Sequence, residues 1–391
     1  MKDRPALIAG GGIAGLATAI ALAKANIRSC ILESRPAFSE VGAGIQIGPN
    51  GTRILRQLGV AERLATDAGK PRSIEVSDGR SGEVLSRLPL GAWIEQRHGA
   101  PYWTAHRADL HAALLATART YSEIEFRLGF GVTAIEETEA GVCASTDDGS
   151  SATGRFLIGA DGVGSIVRGL AINDLPLVPA GRVAARSVIP IGANDDAVTR
   201  QSVSLWLAPR AHVVHYPVRD GRELAVVVVL QDATLTEGWG AAIETATVLG
   251  RLSGLAPRLL SLLDRANDWR QWTLLSAPRL PTWSAGRVVL AGDATGPFFP
   301  FLAQGGVMAL EDAATLARLV ADTPDVAAAF GQFEAIRRPR RQRMIDTAAR
   351  NGLIYHLDGP FAFARNLALR AMGGERVMAG YDWLYGHKLD A

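Results

Sequence analysis

The chain has 391 residues, 48% hydrophobic and 20% charged, with a formal net charge of +2; this is ample material for a large core and gives no sign of a nucleic-acid or strongly acidic partner. Its two cysteines, Cys30 and Cys143, lie far apart in apolar runs, so they exclude a disulfide framework or metal site and read as buried small hydrophobes. The first residues lack the pattern of a secretory signal, and no stretch approaches the roughly 18 uninterrupted apolar residues of a membrane helix, so the expectation is a soluble, cytoplasmic protein with no membrane partner.

In chain order, the apolar run Ala6–Ala9 predicts a strand and is followed at once by glycines. Residues 13–25 are rich in Ala and Leu with no breaker after Gly15, which predicts a helix. A second apolar run over 28–32 ends in Glu33, completing a strand–turn–helix–strand unit. Residues 73–90 alternate in short runs punctuated by Asp78-Gly79 and Ser81-Gly82, a hairpin signal. A helix is expected over 104–119, then several strands over 124–158 with turns at Gly141 and Asp148-Gly149. Strands are expected again over 182–231, ending in the apolar run 224–230, and helical patterns over 239–264. Residues 287–290 read as a buried parallel-type strand, and long helices fill 304–350. The Arg-rich run 337–343, RRPRRQR, reads as a solvated helix face interrupted by Pro339 rather than a nucleic-acid patch.

A β-rich middle between α/β segments points to a substrate-facing sheet inserted into a discontinuous cofactor domain. The expected cofactor domain covers 1–72, 104–175 and 281–391, the last with C-terminal helices. The expected substrate domain is the hairpin region 73–103 and the sheet 176–280.

Three motifs carry chemistry. Gly10-Gly11-Gly12-Ile13-Ala14-Gly15 is a GxGxxG between a strand and a helix. Gly10 allows the tight turn, Gly12 lets the backbone approach a pyrophosphate, and Gly15 lets helix pack closely on strand. The helix N-terminus then offers amides and a positive dipole end to phosphates. Glu33, at the end of the next strand, is placed to accept hydrogen bonds from ribose hydroxyls. The other two motifs, Gly159-Ala160-Asp161-Gly162 after the strand 156–158 and Gly292-Asp293-Ala294 after the strand 287–290, each put a carboxylate at a strand end. That is where open α/β sheets bind ligands.

With HRADL over 106–110 and GDATGPFFPFLAQGG over 292–306, this set resembles the group A FAD-dependent aromatic monooxygenases, the para-hydroxybenzoate hydroxylase superfamily. The resemblance runs from about residue 4 to the C-terminus. GAGIQIGPNG (42–51), LSRLPLG (85–91), TWSAGRVVLAGDA (282–294) and YDWLYG (381–386) look most like its salicylate hydroxylase and 6-hydroxynicotinate 3-monooxygenase branch. The resemblance implies an α/β fold in which a Rossmann-like FAD-binding domain carries an inserted β-sheet substrate domain. It implies FAD as cofactor, NADH or NADPH as a transient co-substrate, and O2. The implied reaction is hydroxylation of a small aromatic substrate, phenolic or a hydroxy-acid, through a flavin C4a-hydroperoxide. No second GxGxxG follows a strand, so a nicotinamide cofactor has no separate Rossmann domain. The protein is expected to be a monomer or homodimer.

By the same resemblance, Gly10, Gly12, Ala14 and Gly15 face the pyrophosphate, and Glu33 and Arg35 hold the adenosine end. Arg107 reaches the FAD phosphates or ribityl, and Asp293 hydrogen-bonds the ribityl chain. Asp161 acts with the fold and the nicotinamide cofactor. Gly305 and Gly306 open the helix after the flavin, and a helix N-terminus at 304–307 stabilises negative charge near N1 and O2 of reduced flavin. The family often has a histidine where this chain has Gly296, so a loop of altered stiffness is expected.

The candidate substrate contacts lie on the β-segment 211–217. His212, Val214 and Tyr216 share one strand face, with Val213 and His215 on the other. His212 and Tyr216 match the His and Tyr, four apart, of related hydroxylases, with His212 the expected base. Gln46 stands where the hydroxynicotinate enzymes carry a histidine, and a glutamine amide is no general base. Pro300 and Phe301 are expected to wall the reactive side. Two other readings stay open: an epoxidase or hydroxylase of a larger polycyclic or isoprenoid substrate, suited to Phe298, Phe299 and Phe301, and an FAD-binding protein without oxygenase activity.

Overall fold

The computed structural model describes residues 4–38, 44–139, 141–173, 175–192, 197–232 and 239–389. Ala6–Ala9 is buried along its whole length and lies inside a six-stranded sheet. Its order is Ser284–Ala285, Val288–Leu290, Leu157–Gly159, Ala6–Ala9, Ser29–Glu33, Ile124–Leu128. All pairings are parallel except the edge strand Ser284–Ala285. Parallel strands covered on both faces have no polar side to show, so they appear in sequence as short unbroken apolar runs. The helix Ile13–Lys24 covers this sheet with almost every residue buried and lies against the helix Gly305–Asp322. A separate antiparallel sheet orders Ser151–Gly154, Gly141–Ser145 and Ala134–Thr138.

The second large sheet has eight strands in the order Ala241–Ile243, Trp269–Ser276, Val178–Pro190, Glu223–Leu230, Ala211–Val218, Ser202–Ala208, Ser73–Asp78, Val84–Pro89. The hairpin Ser73–Asp78 and Val84–Pro89 enters it through parallel pairing with Ser202–Ala208. Strand alternation divides the sheet into two buried faces. One face, with Val203, Leu205 and Tyr216, packs on Phe301, Leu302, Met308 and Met344. The other, with Trp206, Val213, Val226 and Val228, packs on the short helices Thr245–Gly250 and Pro257–Leu263. A two-stranded ribbon, Gly44–Ile47 with Trp103–His106, links the parts: Thr104 donates its hydroxyl to the Pro217 carbonyl of the large sheet.

Several expectations need correction. The helix expected over 104–119 begins only at Arg107; Trp103–His106 is strand, because its residues pair with Gly44–Ile47. The region 239–264 holds the strand Ala241–Ile243 before two short helices. Cys30 is buried as expected, but Cys143 is only half-buried. The helix Val326–Tyr355 runs through Pro339, and its Arg-rich stretch is solvated only in part: Pro339 and Arg343 are exposed, but Arg337 and Arg341 are buried. Helices Gly359–Met372, Gly374–Ala379 and Asp382–Tyr385 follow. No described helix is long and apolar enough to cross a membrane, and the described residues hold no cluster of three or more metal-ligating side chains.

Candidate active site

The three strand-end motifs converge. Gly10 has φ +101°, and a Cβ there would lie 2.6 Å from the Ala160 carbonyl oxygen, so the glycine turn and the Asp161 motif touch. A Cβ on Gly15 would stand 1.9 Å from the Gly10 carbonyl oxygen, so only glycine lets the helix start directly over the strand. A Cβ on Gly292 would lie 3.1 Å from that of Ala14, which brings the Asp293 motif to the same helix. Gly12 is the N-cap of Ile13–Lys24, and no side chain caps it. The first-turn amides are thus left without a side-chain cap, which suits an anion such as a pyrophosphate.

Glu33 folds back on this turn. Its Oε2 accepts from Gly11 N–H at 2.7 Å, and its Oε1 accepts from Arg35 N–H at 2.9 Å. The Arg35 residue itself is exposed. Buried His111, which the sequence did not single out, contacts the Gly11 carbonyl through Nε2 at 2.8 Å. Asp161 is engaged locally: it accepts from Ser165 Oγ at 2.5 Å and Val167 N–H at 3.0 Å, holding the turn into Ile166–Ala171.

Asp293 sits exposed in the short 3-10 segment Gly292–Thr295. Two buried arginines pin this loop by its carbonyls. Arg168 donates to Ala294 O at 2.9 Å, and Arg341 donates to Gly292 O at 3.3 Å and Gly296 O at 2.5 Å. Gly296, at the usual histidine position, has φ +131°, where an L side chain is strained whatever the space. The loop is therefore braced from beneath, and the glycine is demanded by its backbone. Neither arginine was legible in sequence as a loop anchor.

The next helix, Gly305–Asp322, starts at the expected glycine, with Gln304 as N-cap and no side-chain cap. Below it lies a buried polar network. Glu311 binds Arg337 at 2.7 Å and Arg340 at 2.7 Å, and accepts from Asn50 Nδ2 at 2.8 Å. Arg337 also binds Asp312, whose other oxygen accepts from Gly292 N–H at 2.9 Å. Burial alone would push the Glu311 carboxyl up, but Arg337 and then Arg340 overcome it and bring it down to about 2.

On the large sheet, His212, Val214 and Tyr216 do share a face, and His215 turns away to accept from Trp206 Nε1 at 3.1 Å. His212 lies edge-on to Phe301 with ring centroids 5.2 Å apart. Burial drives its imidazole well below the ordinary histidine range, with His356 and Arg182 adding to this. Burial pushes the Tyr216 hydroxyl up, against a smaller pull from Arg186. Gln46 accepts from the buried Tyr102 hydroxyl at 2.6 Å, and Tyr102 lies edge-on to Tyr385. Gly44, two residues before Gln46, abuts Tyr216: a Cβ there would lie 2.8 Å from its hydroxyl. Gly42 and Ala43 of the same motif lie outside the described residues.

Pro300 and Phe301 form the turn Pro300–Leu302 after the Gly292–Gly296 loop. Phe301 stacks on Phe299, and the Arg182 guanidinium lies 5.5 Å from each ring centroid. Arg186 is half-buried and stacks over Trp272 at 5.2 Å, with Nε buried and unpartnered among the described residues. Its electrostatic neighbours are Tyr216, Arg107 and Asp293, so the sheet face and the Asp293 loop meet there. His356, Tyr102, Arg182 and Arg186 were all missed in the sequence, because isolated residues of these types carry no spacing signal.

The donor set fits FAD. Two uncapped helix N-termini, a glycine turn, a strand-end carboxylate and an exposed aspartate gather at one place: Glu33 bonds Gly11, Gly292 lies by Ala14, and Gly306 by Ile13. The FAD binding domain family matches residues 3–348. The 3-hydroxybenzoate 6-hydroxylase of Klebsiella oxytoca is 36% identical over 391 residues, covering 100% of this chain and 98% of that protein. The 6-hydroxynicotinate 3-monooxygenase of Bordetella bronchiseptica is 34% identical, covering 88% and 90% of the two chains. Klebsiella pneumoniae HpxO, solved with FAD and uric acid, superposes with a TM-score of 0.85 at 28% identity, covering 97% and 96%. A salicylate hydroxylase substrate complex superposes with a TM-score of 0.83 at 22% identity, covering 99% and 96%, a likeness of fold. The chain belongs to the FAD binding domain family of flavoprotein monooxygenases.

Proposed function

We propose that the chain hydroxylates a small phenolic or hydroxy-acid aromatic substrate, using FAD, NADH or NADPH as transient co-substrate, and O2. One observation carries the reading. The His212–Tyr216 face of the large sheet packs on Phe301, which follows directly from the loop carrying Asp293. A polar pair and an aromatic wall thus meet at the flavin loop.

Bound FAD supplies the activation of O2 and the transfer of one oxygen atom to the ring. The chain's residues bind and position. Gly10, Gly12, Ala14 and Gly15 hold the pyrophosphate, Glu33 and Arg35 the adenosine end, and Arg107 and Asp293 the phosphate and ribityl. Gly305 and Gly306 place helix amides toward the flavin. Asp161 holds its own turn, and its part toward a nicotinamide cofactor belongs to the proposal. His212 is neutral because it is buried, so it is in the state that accepts a phenolic proton. Tyr216 keeps its proton because burial raises it, so it serves as a hydrogen-bond donor. Gln46, Pro300 and Phe301 line the pocket, and the aromatic wall excludes water. The division into a cofactor unit (1–72, 104–175, 281–391) and a substrate unit (73–103, 176–280) is part of this proposal, as is a monomer or homodimer in the cytoplasm.

The test is a screen of aromatic acids for stimulated NAD(P)H oxidation, with the product identified by mass. A phenolic acid that accelerates oxidation and gains one oxygen supports the reading. Stimulation by none, with FAD bound, overturns it.

A further inference from the structure

His356 was not expected to matter. It caps the end of the helix Val326–Tyr355, far in sequence from the sheet, yet its Nε2 lies 2.8 Å from Nδ1 of His212. Arg365 holds that helix end by donating to the Ile354 and Tyr355 carbonyls at 3.1 Å each. The His212 ring is enclosed by Phe301, Tyr355 and His356, with centroids 5.2, 5.3 and 5.1 Å away. The contact consumes one ring nitrogen of His212, so Nε2 is the one offered to a ligand. His356 Nδ1 is buried and has no hydrogen-bond partner among the described residues.

We propose that His356 is a positioning residue that fixes His212 in its Nδ1–H tautomer, so that the two rings act together as the base for a substrate hydroxyl; this rests on the hydroxylase reading above. A neutral imidazole carries one N–H, and the hydrogen bond made by one nitrogen decides the role of the other. With Nδ1–H donated to His356 Nε2, His212 Nε2 keeps a bare lone pair. The substrate O–H bond breaks and an Nε2–H bond forms on His212. The Nδ1 proton stays on His212, shared through the hydrogen bond with His356 Nε2, so the positive charge is spread over the two rings opposite the substrate phenolate. The steps reverse when the hydroxylated ring regains its proton, so no proton need come from solvent.

Sharing matters here because either ring alone is a poor acceptor. The charged groups acting on the pair are Arg182 from Val178–Pro190 and Arg365 from Gly359–Met372, while the Tyr355 ring lies against His212 and its hydroxyl donates to the Phe301 carbonyl. Burial first, then Arg182 and Arg365, push His356 down to about 4. Two rings across a short hydrogen bond spread the charge that these cations oppose.

The test uses FAD-loaded protein with 15N-labelled histidine. Long-range proton–nitrogen spectra should show His212 protonated at Nδ1 and bare at Nε2. His356→Phe should mix or reverse that tautomer, and His356→Gln should preserve it, because the amide oxygen still accepts from Nδ1–H. With a substrate from the aromatic-acid screen, His356→Phe should lower coupled hydroxylation at least about 10-fold and displace its pH profile, as loss of a histidine-orienting partner does. Flavin absorbance establishes that each variant is folded and loaded. An Nε2–H tautomer in the parent, or an unchanged tautomer in His356→Phe, overturns the proposal. Because the spectra need no substrate, a failed screen sinks the hydroxylase reading and leaves the tautomer result to stand or fall separately.

Discussion

Replacing Glu311 with Gln tests whether the helix Gly305–Asp322 is anchored electrostatically. Glu311 is fully buried, and its carboxyl is held at about 2 against an ordinary 4.5. That gap corresponds to about 3 kcal/mol of folded-state preference for the ionised form. The amide keeps the shape and the Asn50 contact within reach but removes the charge. Arg337 then keeps Asp312, whereas Arg340 loses its charged partner and keeps the carbonyls of Trp383 and Leu384 and the Trp383 ring. Breaking one side of a buried ion pair costs about 3–5 kcal/mol, so the loss at neutral pH should be about 3 kcal/mol. Urea unfolding of the FAD-loaded protein measures it as a lower midpoint at unchanged slope. The sign with pH follows from the depressed value. The stabilisation is complete above 4.5 and is lost as pH falls toward 2, so parent and variant should converge on acidification. A variant within about 0.5 kcal/mol of the parent at neutral pH, the range of an ordinary surface change, would refute the reasoning, as would a difference that persists unchanged into acid.

Gly15→Ala should yield protein purified without yellow colour, since its Cβ would stand 1.9 Å from the Gly10 carbonyl; full flavin retention, read at the flavin absorbance band, contradicts this. Gly296→His, which restores the usual family residue, should cost about 1–3 kcal/mol from backbone strain at φ +131°, measured by the same unfolding assay. Arg341→Met removes the donors to Gly292 O and Gly296 O and should weaken FAD binding about tenfold, roughly one lost charge-assisted hydrogen bond, as measured by fluorescence titration. His212→Phe should leave NAD(P)H oxidation running while hydroxylated product falls about 100-fold or more, the typical worth of a general base. Parent-like product yield rules out the base assignment.

The nucleotide end was legible because local rules act there. A glycine turn, an uncapped helix and a strand-end acid lie within one short stretch, and each residue type has a backbone reason to be where it is. Strand parity likewise places His212 and Tyr216 on one face from the sequence alone, because the pleat has a period of two. Where patterns were short, neighbours decided instead. Trp103–His106 is strand because Gly44–Ile47 pairs with it, although its sequence runs into a helix. The arginines of 337–343 look solvated by composition, yet Arg337 is buried because Glu311 and Asp312, from a different helix, meet its charge.

The amino-acid sequence by itself therefore determined the glycine turn, the parallel strands and the strand-end positions of Asp161 and Asp293, since these depend on local geometry and apolar periodicity. Only the tertiary structure decided what stands behind them: Arg168 and Arg341 under the Asp293 loop, Tyr102 on Gln46, and His356 on His212. Those contacts join residues separated by dozens to hundreds of positions, and nothing in their spacing announces them.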